Sequence, residues 1–258
     1  MTVSTKIAAI LPEWAGFAHA VRARHPAAGT WCAGWTTRDI LIHQTGNADE
    51  LHRVLAAHLA GTPVDTRGFE EREARYRAMT DLDLWTAFEH NSERLADLSV
   101  AAVADLPADT RIAWTRREVG PSFFAEHLRQ ELVLHRWDLV GDDPTATHSL
   151  TQPWMTTHSV RAVGKPLLAR GSVGVDLGPD GRFEGRLRAP GTDDVLVTAT
   201  RAGNTIELVP AEGEATIESD PAVRALLLWG RRPADGSRWH STAGPEALGN
   251  LRTLLSGY

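Results

Sequence analysis

The spacing of the hydrophobic residues changes once along the chain, and this change limits the folds that the sequence can adopt. Through about the first 140 of the 258 residues, apolar side chains recur at three- and four-residue spacing, as in amphipathic helices. From about residue 172 to residue 218 they alternate with polar side chains, as in half-buried strands. The sequence therefore predicts an α+β protein with two domains, residues 1–150 and residues 151–258.

Four helices are predicted in the first domain. They cover residues from about 4 to 24, from a cap at Thr36 or Thr37 towards Ala60, from near Asp81 to before Pro107, and from Pro121 or Ser122 to before Gly141. Residues 70–77 are predicted to be a charged connector. The connections between these helices are of modest length, which favours a four-helix bundle. Such bundles place metal ligands on the inward faces of their helices.

The second domain is predicted to contain an antiparallel meander. Its strands are placed at residues 172–177, 182–188, 194–200 and 205–209, separated by turns rich in glycine and proline. Two helices follow, at residues 222–229 and 245–255, and residues 150–170 are a helix or a linker.

Composition excludes several functional classes. The net charge is −6 and the arginines are dispersed among acidic residues, which argues against a nucleic-acid partner. No apolar run approaches the ~18 residues of a membrane span, so no membrane association is expected. The single cysteine, Cys32, excludes an internal disulfide and fits a reducing compartment. A cytoplasmic protein, a monomer or weak dimer, is expected.

Three residues form a candidate metal site. Glu131 and His135 are four residues apart, so on a helix they project from one face, and His43 lies on another predicted helix. Two imidazoles and a carboxylate would leave one position of a divalent metal open. By spacing alone, His127 is a rival ligand, and Asp138 is predicted to orient an imidazole from behind or to be a polar group at the C-terminal end of its helix. The alternative is an ordinary surface ion pair between Glu131 and His135.

Further polar residues are predicted to lie on the same helical faces as these ligands. His127 and Asp138 fall on the stripe of Glu131, and Asn47 and Glu50 lie near the direction of His43. His52 falls on the opposite side and is predicted to be solvated. Burying so much charge is costly, and a cation would satisfy the ligands together.

The motif around His43 resembles that of a known family. The stretch Trp-Cys-Ala-Gly-Trp-Thr-Thr-Arg-Asp-Ile-Leu-Ile-His at residues 31–43 is similar to the opening of the mycothiol-dependent maleylpyruvate isomerase family, whose N-terminal part is a DinB-like bundle. Residues 112–114, 131–138 and 225–231 resemble later elements of that family, in the same order.

This resemblance implies a site and its cofactors. It implies that His43, Glu131 and His135 bind a divalent metal, zinc in the family, and that mycothiol or another low-molecular-weight thiol takes the open position. It further implies that Arg231 reaches a carboxylate of a small electrophilic substrate, in a pocket that the second domain completes. Arg231 and Arg232 would equally suit a solvated helix end.

Other positions are weighed against the family pattern. Cys32 matches the motif cysteine but is predicted to be a small buried residue. Trp35 and Trp137 are predicted to be packing anchors. Leu128 and Gln130 occupy the turn before Glu131, where relatives often carry an arginine.

Three functions are compatible with these features. A thiolate that adds to a cis-enoyl oxo-acid and is then eliminated would make the protein an isomerase. A thiolate whose adduct is kept would make it a mycothiol S-transferase. A non-catalytic ligand-binding protein with a structural metal is the third possibility.

Overall fold

The chain forms two compact units. Its structure, a computed structural model, describes residues 5–255 and, within them, every side chain except those at positions 5, 6, 163, 165, 166, 168 and 169. The units divide between Gly141 and Asp142. Helices dominate the first unit and the second combines helices with a sheet, so the predicted α+β class is confirmed. Among the described helices, none has the length and apolar character needed to span a membrane.

The first unit consists of helices and one short hairpin. In chain order its described elements are α1 (Thr5–Ile10), α2 (Trp14–Arg22), α3 (Thr37–Leu59), α4 (Phe69–Arg77), α5 (Asp81–Asp105), β1 (Ile112–Trp114), β2 (Arg117–Val119) and α6 (Phe123–Val140). Helix α3 packs against α4, α5 and α6, and α2 packs on α6. The buried side chains between them include Phe17, Leu51, Phe88, Phe124 and Leu132.

Two predictions for this unit are wrong. The single helix predicted over residues 4–24 is two helices, α1 and α2, and residue 4 lies outside the described residues. The helices are separated at Pro12, which lacks a backbone N–H and disfavours a continuous helix. The predicted charged connector is helix α4, in which charge complements the helix ends: Glu70 and Glu71 lie in its first turn, and Arg75 and Arg77 lie in its last.

Helix α3 begins where the sequence indicates. Thr36 is its N-cap, and its hydroxyl accepts a hydrogen bond from the backbone N–H of Asp39. The carboxylate of Asp39 accepts one in return from the backbone N–H of Thr36, at 2.9 Å. This capping box fixes the helix start. The direction of His43, one to two turns later, is fixed with it.

The second unit contains a five-stranded sheet. Its described elements are α7 (Pro144–Leu150), α8 (Pro153–Arg170), β3 (Arg182–Arg188), β4 (Asp194–Thr200), β5 (Gly203–Val209), β6 (Ile217–Ser219), α9 (Pro221–Leu228), a 3-10 helix (Gly236–Arg238), β7 (Trp239–His240) and α10 (Pro245–Leu255). The strand order is β5-β4-β3-β6-β7. Neighbouring strands are antiparallel except β3 and β6, which are parallel.

The predicted meander is confirmed for β3, β4 and β5. The strand predicted at residues 172–177 is wrong, because this segment forms turns and Gly174 takes a φ of +78° there. The region left open as a helix or a linker is largely helix α8.

A glycine lets α4 lie close to α3. A Cβ on Gly46 would stand 3.1 Å from the backbone oxygen of Arg72 and 3.2 Å from Cγ of Glu73. Both distances are shorter than ordinary van der Waals contact. The absence of a side chain at Gly46 therefore brings Arg72 and Glu73 against the inner face of α3.

Gly46→Ala tests this approach. Alanine gains about 1 kcal/mol in helix propensity, but overpacking costs about 1–3 kcal/mol, so we expect a net loss of stability in urea unfolding. Gly16→Ala is the matched control, because a Cβ there meets only the flexible side chain of Arg136 at 3.6 Å. That variant should be stabilised by about 0.5–1 kcal/mol. Equal stabilisation of the two variants would contradict the close approach.

A buried carboxylate holds the loop before α4. Glu50 is fully buried, and it accepts hydrogen bonds from Nη2 of Arg53 at 2.6 Å and from the backbone N–H and Nε of Arg67 at 2.7 and 2.6 Å. Burial raises the pKa of Glu50, but the hydrogen bonds from Arg53 and Arg67 outweigh it and the pKa is lowered. The ionised form of Glu50 therefore stabilises the fold.

Glu50→Gln should lower the free energy of unfolding at pH 7 by about 2 kcal/mol, the order of one charge-assisted hydrogen bond. The difference in unfolding free energy between the variant and the unsubstituted protein should have its maximum value above about pH 4.3, the ordinary pKa of glutamate. It should shrink as the pH falls through the lowered pKa of folded Glu50. Urea unfolding at a series of pH values measures this, with the exposed Glu70→Gln as the control. A difference that does not vary with pH would contradict the assignment.

Candidate metal centre

Helices α3 and α6 bring the three predicted ligands together. Nε2 of His43 lies 3.3 Å from Oε2 of Glu131, and Nε2 of His135 lies 3.5 Å from the same oxygen. One ligand atom from each residue lies within 4.8 Å of the others, and all three side chains are buried. Two imidazole nitrogens and a carboxylate oxygen thus face a common point. They form a donor set that suits zinc and other divalent metals.

Each imidazole has a carboxylate behind it. Nδ1 of His43 lies 2.9 Å from Oε1 of Glu73, and Nδ1 of His135 lies 2.8 Å from Oδ2 of Asp138. A carboxylate at Nδ1 favours the tautomer with its proton on that nitrogen, which leaves the Nε2 lone pair for a metal. Asp138 lies where the sequence placed it. Glu73 was missed, because its helix was taken for a connector.

The charge of these groups favours a cation between the ligands. Burial raises the pKa of Glu131, but hydrogen bonds to His135 and His43 outweigh it and the pKa is well lowered. Burial lowers the pKa of His135, but Asp138 and Glu131 outweigh it and the pKa is raised. The carboxylates of Glu73, Glu131 and Asp138 are all buried around the two imidazoles, and a divalent metal between the ligands would add positive charge among them.

His127 is outside the group of three. Its ring stacks on Phe123, with ring centroids 4.9 Å apart and planes at 16°, and it meets Trp114 edge-on at 6.1 Å. It is one turn from Glu131 and acts on that carboxylate through its charge. The structure therefore favours Glu131 over His127 as the third donor.

Trp35 covers the imidazoles on one side. Its ring is parallel to that of His135, at 5.8 Å and 5°, and meets His43 edge-on at 5.2 Å. Its backbone is fixed by a hydrogen bond from its N–H to the carbonyl of Cys32 at 3.0 Å, and its carbonyl accepts one from Thr30. Trp35 is thus a packing residue, as predicted, and its position makes it a wall of the site. Cys32 is half-buried and carries no metal ligand role in this arrangement.

Phe69 also contacts His43, and Arg72 contacts Phe69. The Phe69 ring stacks on His43 at 5.5 Å and 30°, and the Arg72 guanidinium lies over Phe69 at 4.1 Å from the ring centroid. Burial lowers the pKa of Arg72, opposed by the charges of Glu131 and Glu73. Sequence analysis missed both residues. The spacing of Phe69, Arg72 and Glu73 on one helical face was the available signal.

The remaining candidate residues differ in burial and in their partners. In the second unit, Arg231 follows the C-cap of α9, Trp229, and Gly230. Its Nη1 donates to the carbonyl of Trp229 at 3.3 Å, and Arg232 is exposed. Asn47 is buried, whereas Glu50 belongs to the arginine network described above. His52, predicted to be solvated, is half-buried and lies 3.1 Å from the guanidinium of Arg94. Leu128 and Gln130 are buried.

Comparison with known proteins gives a family and a fold. Residues 7–140 match the family described as the mycothiol maleylpyruvate isomerase N-terminal domain. The solved structures of a mycothiol-dependent maleylpyruvate isomerase and of a mutant of it each have a TM-score of 0.63 and 16% identity, over 95% of this chain and 96% of theirs. At this identity the likeness concerns the fold. No curated protein matches the sequence.

Glu73→Gln tests the carboxylate behind His43. We expect the affinity for zinc, measured by competition with a chromophoric chelator, to fall about 10- to 100-fold, because the imidazole loses the group that fixes its orientation and tautomer. Glu71→Gln, on the exposed side of α4, is the matched control and should bind zinc as the unsubstituted protein does. Equal affinities for all three proteins would show that Glu73 does not support the ligand.

Proposed function

The chain belongs to the mycothiol maleylpyruvate isomerase N-terminal domain family, and we propose that it is a metal-dependent enzyme that directs a low-molecular-weight thiol at an electrophilic substrate. The observation that carries the proposal is the group of His43, Glu131 and His135. Among the described residues, the cluster offers three donors and no fourth, so a tetrahedral metal would keep one position for an exogenous ligand.

The chain's own residues would prepare this chemistry. His43, Glu131 and His135 would hold the metal, while Glu73 and Asp138 keep the Nδ1 protons and so leave the Nε2 atoms free. Zinc bound there would lower the pKa of a thiol at its open position, so that the thiolate is present at neutral pH. We propose mycothiol as this thiol, because the family carries that name.

A thiolate at the open metal position could carry out either of two reactions. In an isomerase, the sulfur forms a bond to one alkene carbon of a cis-enoyl oxo-acid and the π electrons move into an enolate. The former double bond then rotates, and cleavage of the C–S bond returns the thiolate and the trans alkene. In an S-transferase, the enolate is protonated instead and the thiol is consumed. We propose the isomerase, after the family name, with Arg231 as a partner of the substrate's carboxylate.

The cellular location follows from the same chemistry. A reduced thiol cofactor and the single cysteine fit the cytoplasm, which we propose as its location.

Two measurements test the proposal. Metal content after purification, or zinc titration of the apoprotein, should show about one zinc per chain, and His43→Ala should bind it at least tenfold more weakly. The zinc-loaded protein is then incubated with mycothiol and either maleylpyruvate or a generic electrophile, while alkene geometry and free thiol are followed. The cis-to-trans change without net loss of thiol is expected.

Each outcome distinguishes a function. Net consumption of thiol with maleylpyruvate would reject the isomerase in favour of the S-transferase. Zinc binding that His43→Ala leaves unchanged, or turnover that does not depend on thiol, would reject the enzyme proposed here. Arg231→Lys keeps the charge but loses the bidentate geometry, and it should raise KM for maleylpyruvate more than for an uncharged electrophile.

A further inference from the structure

We propose that Trp31 is a positioning residue of the candidate metal centre. It fixes the loop of residues 30–35, here called the Trp31 loop, to the C-terminal end of α6. The loop and the helix end then hold the imidazole of His135 from two directions. Trp31 acts through Trp35 and Asp138, which contact this imidazole. The inference rests on the proposed function for the presence of a metal at His135.

Hydrogen bonds close the Trp31 loop on itself. The hydroxyl of Thr30 lies within hydrogen-bond distance of the carbonyls of Cys32 and Trp35, at 3.2 and 3.0 Å. It also accepts a hydrogen bond from the backbone N–H of Cys32 at 3.2 Å. The backbone N–H of Thr30 donates to the carbonyl of Trp35 at 3.2 Å. Because these bonds join the two ends of the loop, Trp31 and Trp35 belong to one rigid segment.

Trp31 joins this loop to the end of α6. Its backbone N–H donates to the carbonyl of Asp138 at 2.7 Å, one of the carbonyls that lack a partner within the helix. Its indole contacts that of Trp137, with ring centroids 5.8 Å apart and planes at 42°. Gly141 follows at a φ of +73°, and a Cβ there would stand 2.8 Å from Nε1 of Trp31. The end of α6 therefore leaves room for this one indole.

His135 lies between the two segments that Trp31 joins. The ring of Trp35, in the loop, is parallel to the imidazole, and the carboxylate of Asp138, on α6, lies 2.8 Å from its Nδ1. Together these contacts fix the plane of the imidazole and the direction in which its Nε2 points. If Trp31 is lost, the loop that carries Trp35 is free to move relative to Asp138. The imidazole is then held less precisely for a metal.

Truncation of Trp31 separates this role from the stability of the fold. Trp31 is 53% exposed, so Trp31→Ala removes little buried surface from the core. We expect the affinity for zinc, measured by competition with a chromophoric chelator, to fall about tenfold, the lower end of the range for groups that orient a ligand. Trp31→Phe keeps an aromatic ring against Trp137 and should recover most of the affinity. Val103→Ala, which truncates another exposed side chain, on α5, is the control and should bind zinc unchanged.

A second measurement needs no metal. The NMR signals of the His135 ring protons depend on the aromatic ring of Trp35 beside them, and Trp35→Ala defines the change that complete loss of this ring produces. In the metal-free protein at one pH, Trp31→Ala should move the signals in the same direction, and Val103→Ala should leave them in place. If Trp31→Ala does not fold, Trp31→Leu takes its place in both measurements.

Gly141→Ala disturbs the same contact from the side of α6. The added Cβ should displace the indole of Trp31, so this variant should also weaken zinc binding. The positive φ of residue 141 adds a strain that does not depend on Trp31. In the double variant Trp31→Phe/Gly141→Ala the clashing indole nitrogen is absent. The loss of affinity should therefore be smaller than the sum of the two single losses.

The role of Trp31 is overturned by any of three results. These are zinc affinity in Trp31→Ala equal to that of the unsubstituted protein, His135 signals that Trp31→Ala does not move, and an equal loss of affinity in Val103→Ala.

The two proposals fail separately. If the unsubstituted protein binds no zinc, the enzyme is overturned, and the His135 signals of the metal-free protein still decide the role of Trp31. Thiol-dependent turnover in the unsubstituted protein, together with His135 signals that Trp31→Ala leaves in place, would keep the enzyme and overturn the role of Trp31.

Discussion

The burial of the Glu131 carboxylate between two imidazoles is the constraint on which the rest of the first unit depends. An ionised carboxylate is stable there only if hydrogen bonds or positive charge compensate for its burial, and the Nε2 atoms of His43 and His135 lie 3.3 and 3.5 Å from its Oε2. Each imidazole in turn needs an acceptor for its second nitrogen, which Glu73 and Asp138 provide. Glu131, His135 and Asp138 lie on α6 and His43 lies on α3, but Glu73 has to be brought from a third helix, α4. Helix α4 supplies Glu73, and its close packing on α3 brings this residue to His43.

The position of helix α4 depends on two further features of the first unit, which lie away from Glu131. The arginine network around Glu50 anchors the loop that leads into α4, and Gly46 removes the side chain that would keep α4 away. Neither feature touches the candidate ligands. Both determine where Glu73 and Arg72 lie, so substitutions there act on the site through the position of a helix.

The sequence predicts the parts of the structure that depend on local patterns. The start of α3 follows from a capping box, and β3 to β5 follow from alternation between glycine-rich turns, so these elements were located from the sequence. Spacing could select Glu131 and His135, because four residues on one helix suffice. Glu73, Phe69 and Arg72 were missed, because α4 lacks a strong apolar stripe and its charged residues resemble those of a connector. The pairing of Glu73 with His43 spans 30 residues and is formed only by packing.

Three neighbouring side chains of helix α4 make different contacts around His43. Glu73 pairs with His43, Phe69 stacks on the same imidazole and the Arg72 guanidinium lies over Phe69, and all three residues belong to one nine-residue helix. A displacement of this one short helix would therefore change the hydrogen bond, the ring contact and the nearby positive charge at His43 all at once.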